Sequence, residues 1–333
     1  MTWLVTGGAG YIGSHVVRSM TARGLDVVVL DDLSTGLERR LDDATVVRAS
    51  LLDESAVREV LARHGVRGIV HLAGKKQVAE SVARPMHYYE QNVGGLRRLL
   101  AAAADADVGS FVFSSSAAVY GEPDVARVTE DLPCRPVNPY GETKLVGEWM
   151  VRDVARATGM AYANLRYFNV VGAADPVLAD TAVANLVTQV FARVDAGEPP
   201  AVFGGDYDTA DGTCVRDFVH VADIASAHVA AASALADGGQ RALTLNLGRG
   251  EETTVAEVCA VIGTVLAGAG VPTLPPVVTA RRPGDPARVV ADVRRAESAL
   301  GWRAERDLVD MVASAWAGWC AHRAEPAADQ PEG

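Results

Sequence analysis

The chain has 333 residues, enough to bury a full core and to divide into two lobes. Hydrophobic residues make up 49% and charged residues 22%, and 31 Lys plus Arg against 42 Asp plus Glu leave a net charge of -11, which argues against nucleic acid or an anionic membrane as the main partner. The four cysteines, Cys134, Cys214, Cys259 and Cys320, lie far apart with no C-x-x-C pair and read as reduced thiols of a cytoplasmic protein. The first residues read as a strand with no basic or apolar leader pattern, so no secretory signal is expected, and no apolar run reaches the ~18 residues of a membrane span.

Along the first half, short β-rich runs alternate with amphipathic helical stretches. Strands are expected at 2–6, 26–30, 45–48, 68–72, 110–113 and 161–166, with helices at 12–22, 54–63, 93–104 and 140–157 between them. Strands separated by helices predict an α/β fold, a Rossmann-type doubly wound parallel sheet with both faces covered. The runs Val27-Val28-Val29-Leu30 and Ile69-Val70-His71-Leu72 suit strands buried on both sides. Beyond residue 167 the rhythm loosens, with helices expected at 182–194, 222–236 and 255–266. The expected division is a first domain over 1–167 and a smaller mixed α/β substrate lobe over 168–323, with 217–236 packing back on the first. The last stretch, 324–333, is acidic with two prolines and is expected to be disordered.

Gly8-Ala9-Gly10-Tyr11-Ile12-Gly13 follows the first strand and opens the first helix. In that context a G-x-G-x-x-G turn signals a bound dinucleotide. Gly8 and Gly10 allow a tight turn and close backbone approach, Gly13 lets helix and strand pack, and the pyrophosphate meets free N–H groups at the helix N-terminus. Asp31, 18 residues after Gly13, would take the two hydroxyls of the adenine ribose. A 2′-phosphate about 4 Å from that carboxylate would be repelled by on the order of 4 kcal/mol. No arginine adjoins Asp31, so NAD is expected rather than NADP. Its neighbour Asp32 is more readily a solvated residue.

Tyr140 and Lys144 stand four apart and share one face of a helix. A free phenol titrates near 10, so a base useful at neutral pH needs roughly 3 units less, about 4 kcal/mol. The ammonium of Lys144 and a positive nicotinamide ring both favour the phenolate, and Lys144 would also reach the nicotinamide ribose. Ser116, at the end of the strand Phe111-Val112-Phe113, would bond the same substrate hydroxyl. No metal ligands cluster in the sequence.

With these residues in place the chain resembles the extended short-chain dehydrogenase/reductase family, and within it the UDP-galactose 4-epimerases. The matching segments are 6–15, 71–76, 113–121, 138–141, 165–169, 212–220 and 281–285, covering nearly the whole chain. The resemblance implies reversible C4 epimerisation of a UDP-hexose through a transient 4-keto sugar, with tightly bound NAD. It makes Tyr140 the base, Ser116 its partner, and Lys144 the pKa modulator. It places Gly7, Gly10, Tyr11, Ile12, Gly13, Asp31, Asp32, Ser50, Leu51, Leu72, Ala73, Gly74, Lys76, Asn92, Ser114 and Tyr167 around the cofactor. Asn169 would contact the hexose, Asn185 and Leu186 would begin a helix near the diphosphate, Arg216 and Arg282 would fork onto phosphate oxygens, and Asp285 would bond the uridine ribose. Lys76, Ser116 and Tyr140 would also touch the sugar. A homodimer is implied, through outer helix faces carrying Leu96, Leu99, Leu100, Val146, Met150 and Val154.

The departures from the family pattern concern the sugar. Ala118 replaces a threonine, Val170 a proline, Ser50 an aspartate near the adenine, and Val289 a tyrosine that gates the sugar's C2 side. UDP-N-acetylglucosamine therefore competes with UDP-glucose and UDP-galactose as substrate, and so does UDP-glucuronate, with Lys75 as a partner for its carboxylate. Dehydratases of this fold carry Asp-Glu after the active hydroxyl residue, where this chain has Ala117-Ala118, so elimination of water is excluded. A non-catalytic dinucleotide-binding protein is the remaining alternative. It would be expected to lose Tyr140 or Lys144.

Overall fold

A computed structural model describes residues 1–282 and 284–324. The tail expected over 324–333 therefore lies, apart from Ala324, outside the described residues. The central element is a seven-stranded parallel sheet of β1 (Thr2–Thr6), β2 (Asp26–Asp31), β3 (Thr45–Arg48), β4 (Val66–His71), β5 (Ser110–Ser116), β6 (Ala161–Tyr167) and β7 (Ala242–Leu247), in the order β7-β6-β5-β4-β1-β2-β3. Strand order reverses between β1 and β4, and the carboxyl ends on either side of that switch form the crevice where such sheets bind ligands.

Eight principal helices accompany the sheet: α1 (Tyr11–Ala22), α2 (Glu54–Arg63), α3 (Gly95–Asp105), α4 (Pro139–Thr158), α5 (Leu186–Asp195), α6 (Val221–Ala236), α7 (Val255–Gly268) and α8 (Leu308–Arg323). Alternation along the strands divides the core into two layers. Val112 faces the layer holding α1 and α6, with Val16, Val17, Met20, Ile224 and Ala231. Phe111 and Phe113 face the layer holding α2, α3 and α4, with Val57, Leu99 and Val151. α4 begins at Pro139 because Asn138 caps it, its side chain accepting from the Gly141 N–H at 2.9 Å, and it ends at the left-handed Gly159.

Within the stretch 168–323, α6 and β7 return to the first sheet, with the whole of β7 pairing in register along β6 from Tyr162 to Tyr167. A separate apolar cluster, built on Phe191, Ile262, Met311 and Trp316, holds α5, α7 and α8 together. α5 starts four residues later than expected because Asn185 forms a capping box with Thr188. The dimer expectation needs correction in its residues. Leu96, Leu99 and Leu100 are buried in the chain's own core, and Met150 and Val154 pack against that same core, so this apolar set joins α3 to α4 and the sheet rather than forming a free outer face.

Candidate active site

The turn after β1 opens into a cavity of about 410 Å³ at the switch point. Gly10 precedes α1 and offers no side-chain cap, so the first N–H groups of the helix are left for a ligand. The glycines are required by contact. A Cβ on Gly13 would stand 2.0 Å from the Gly7 carbonyl oxygen, and one on Gly7, at φ +71, would stand 2.6 Å from the Ala73 nitrogen. Asp31 closes β2 and is held in place by two backbone donors, Ala9 N–H and Leu33 N–H, each at 2.9 Å. Burial pushes its carboxyl above the ordinary range. Asp32 is exposed and accepts from Ser34 N–H.

The residues expected at the cofactor line this cavity: Gly7, Gly10, Tyr11, Ile12 and Gly13 from the turn, Asp31 and Asp32 from β2, Ser50 and Leu51 after β3, Leu72, Ala73, Gly74 and Lys76 after β4, and Ser114, Tyr140, Lys144 and Tyr167. The glycine cradle, the bare helix end and the paired carboxylate fit a dinucleotide with free ribose hydroxyls. Asn92 stands behind this wall. Its side chain accepts from the Lys75 N–H at 2.8 Å and donates to the Lys75 carbonyl and the Thr143 hydroxyl, so it shapes the cavity through the backbone. Lys75, the cation that would meet a uronate carboxylate, also lines the cavity.

At the inner end the serine run divides its work. The Ser114 carbonyl accepts from Lys144 Nζ at 2.8 Å, and the Ser116 hydroxyl stands near enough to the Tyr140 phenol to favour its ionised form. Burial pushes the Tyr140 phenol up and the Lys144 ammonium down to about 8, with the Ser116 contact working against the rise at Tyr140. Tyr167 is the residue paired with Ser116 across β5 and β6. Its hydroxyl donates to His228 Nε2 at 2.5 Å, because His228 Nδ1 must itself donate to the Ile224 carbonyl. Burial depresses His228 to about 4, which keeps it neutral.

The second half of the chain supplies a cover. Tyr11 donates from its hydroxyl to the Gly172 carbonyl at 2.5 Å, His15 Nε2 accepts from Ala174 N–H at 3.0 Å, and Arg18 pairs with Asp175 at 3.0 Å. Arg40 donates to the Ala179 carbonyl at 2.5 Å. This strap, 172–182, ends in Asp180 and Thr181, which line the cofactor cavity and were not anticipated from the sequence. Asp180 accepts from Asn185 Nδ2 at 3.0 Å and lies 3.6 Å from Lys76, whose side chain remains 51% exposed.

The residues expected at the nucleotide end divide into groups. Arg216 is paired with Asp285, its side chain only 14% exposed. Arg282 lies flat over Phe203, 3.7 Å from the ring centroid, and donates to Gln189. Phe203, on the short strand Ala201–Phe203, gave no signal in the sequence. Asn169 is exposed beside β6 and donates to the Asp217 carbonyl at 3.1 Å. Asp217 is another residue the sequence reading passed over. Its buried carboxylate accepts from Arg249, Gly250 and Ala291 N–H groups, and burial raises it to about 6. Leu186 opens α5 and packs on the second-lobe cluster, while Val289 is buried with Val119, Tyr120, Leu145 and Phe168.

Residues 3–248 match the NAD dependent epimerase/dehydratase family. The chain belongs to that family. Among curated proteins it is similar to a UDP-glucose 4-epimerase of Azospirillum brasilense, 41% identical over 95% of this chain and 91% of that one. Among solved structures it resembles the UDP-glucose-4-epimerase of Stenotrophomonas maltophila with bound NAD and formylated UDP-arabinopyranose, with a TM-score of 0.90, 39% identity, and 98% and 100% of the two chains covered. It also resembles the UDP-Glc/GlcNAc 4-epimerase of Campylobacter jejuni, with a TM-score of 0.84, 34% identity, and 96% and 99% covered. Among the described residues no helix is long and apolar enough to cross a membrane, and no group of three metal-ligating side chains is present.

Proposed function

We propose that this enzyme is an NAD-dependent 4-epimerase of UDP-hexoses, interconverting UDP-glucose and UDP-galactose. The observation that carries the reading is the meeting of Tyr140, Ser116 and Lys144 at the inner end of a dinucleotide cavity, followed by Ala117 and Ala118, which cannot transfer protons. Gly7, Gly10, Gly13 and Asp31 would hold NAD. Bound NAD supplies the acceptor and donor of hydride for sugar C4. Tyr140 takes the proton of the 4-hydroxyl, while Ser116 holds that oxygen and Lys144 favours the phenolate. The 4-keto sugar turns to present its other face, and Tyr140 returns the proton to the same oxygen, so no net redox occurs.

Arg216 and Arg282 would pair with the diphosphate and Asp285 with the uridine ribose, which requires the Arg216–Asp285 pair to open to the ligand. Val289 supports a second substrate reading. A smaller residue where a tyrosine would crowd the sugar's C2 side favours acceptance of UDP-N-acetylglucosamine as well. We further propose a homodimer in the cytoplasm. Val82 and Met86, on two short helices beside α4, and Trp149 on α4 itself are the exposed apolar side chains it would cover. Incubating the protein with UDP-glucose, UDP-N-acetylglucosamine and UDP-glucuronate, and reading the C4 configuration by NMR, tests the reaction. Failure to invert any of the three would refute it.

A further inference from the structure

Ser115 faces the helix α4 side of the sheet, between two serines that serve the proton-transfer group. The register of β5 on β6 sets it opposite Arg166. Glu148 lies on α4 one turn beyond Lys144 and meets both. Its Oε1 accepts from Ser115 Oγ at 2.5 Å and from Arg166 Nε at 2.8 Å, and its Oε2 accepts from Arg166 Nη2 at 2.6 Å. Arg166 Nη1 continues to the Tyr120 hydroxyl at 2.8 Å, and Tyr120 donates to Asn246 Oδ1 at 2.6 Å. All five side chains are closed off from solvent, with Glu148 5% and Arg166 6% exposed.

A buried ion pair of this kind is weak evidence for stability, since desolvation offsets most of its attraction. Its placement is specific in another way. Lys144 and Glu148, one turn apart on α4, grip consecutive residues of β5, the first through the Ser114 carbonyl and the second through the Ser115 hydroxyl. Tyr140 stands one turn before Lys144 on the helix, and Ser116 is the residue after Ser115 on the strand, so the two contacts lock together the helix and strand segments that carry the pair.

We propose that Glu148, held by Arg166, is a positioning residue that sets α4 against β5 and so fixes the approach of Tyr140 to Ser116. The proposal rests on the reading of Tyr140 and Ser116 as the proton-transfer pair. Glu148→Gln would leave Arg166 buried without its counter-charge and can simply fail to fold. Ser115→Ala is the better test, because it removes one contact and keeps the ion pair. Turnover should fall roughly tenfold or more, the scale of a small misplacement of reacting groups. KM for the UDP-sugar and the melting temperature should stay near wild type, and Ser115→Thr, which keeps the hydroxyl, should restore turnover. In a Ser116→Ala background, Ser115→Ala should cost nothing further, because the partner it positions is gone. Wild-type turnover in Ser115→Ala, or an undiminished further loss in the Ser116→Ala background, overturns the positioning role. If Ser116→Ala and Tyr140→Phe themselves turn over normally, the proton-transfer reading falls first and the positioning role with it.

Discussion

Replacing Lys144 by methionine keeps the length of the side chain and removes its charge, so it isolates what the ammonium does for Tyr140. The Lys144 nitrogen lies 5.9 Å from the centre of the Tyr140 ring. At that separation and an effective dielectric near 20, the attraction between ammonium and phenolate is about 3 kcal/mol, or about 2 pKa units. Burial pushes the Tyr140 phenol up, and the Ser116 contact that works against this rise is the same in both forms, so it does not make good the loss. Turnover near pH 7 should therefore fall roughly 100-fold if the phenolate is the base. The pH dependence gives the sharper signature. Lys144 is depressed to about 8, so its charge is present below that pH and fades above it. The ratio of wild-type to variant turnover should be largest below pH 8 and shrink above it, as wild type loses the Lys144 charge that the variant never had. Conversion of UDP-galactose at saturating sugar, measured from pH 6 to 10 with NAD content checked by absorbance, reads this directly. A ratio that stays constant across that range would refute electrostatic activation by Lys144.

Gly13→Ala would bring a Cβ to 2.0 Å from the Gly7 oxygen, so the purified variant should carry little or no NAD, and full occupancy would contradict the cradle. Asp31→Asn removes the charge facing the ribose site, and isothermal titration should show the preference for NAD over NADP narrowing by a large part of that ~4 kcal/mol. An unchanged preference would place the discrimination elsewhere. Acid should destabilise the fold. His15, His220 and His228 are depressed to about 4 and His71 to about 3, so between those values and 6.5 the unfolded chain binds more protons and stability falls as pH falls. Asp217, raised to about 6, and Asp31, raised by burial, work in the opposite sense but are two groups against four. Each histidine contributes about 2 kcal/mol between pH 6.5 and 5, so a melting temperature that rises toward pH 5 would disprove this account. Val289→Tyr should suppress turnover of UDP-N-acetylglucosamine more than that of UDP-glucose, and equal loss on both sugars would show that the residue is not a gate.

Local patterns were the legible part of this sequence. Gly8, Gly10, Gly13 and Asp31 announce their jobs by spacing along one strand–helix–strand unit, and Tyr140 with Lys144 does so by a single helical turn. The residues that went unread depend on register between distant segments. Glu148 is visible as one more step along the face of α4, but its importance appears only when β6 places Arg166 beside Ser115. β7 joins the sheet after more than seventy intervening residues, and nothing local marks Ala242–Leu247 as the neighbour of β6. Asp180 and Phe203 sit in short irregular or three-residue elements, where neither period nor capping chemistry gives a signal. The leucines of α3 were readable as apolar but not as inward-facing, because a helical stripe does not say which partner covers it.

The strap fastened across α1 sets an order of events in the life of the polypeptide. Its anchor side chains on α1 emerge from the ribosome about 160 residues before the segment they will hold. At roughly 5–20 residues per second, the glycine turn and α1 stay without this cover for on the order of 10–30 s. A dinucleotide can reach the nascent chain from the open side during that interval. Once Gly172, Ala174, Asp175 and Ala179 are tied down, the same molecule faces a cover attached at four points. Entry during synthesis thus meets an unstrapped edge, and entry into the finished enzyme a strapped one.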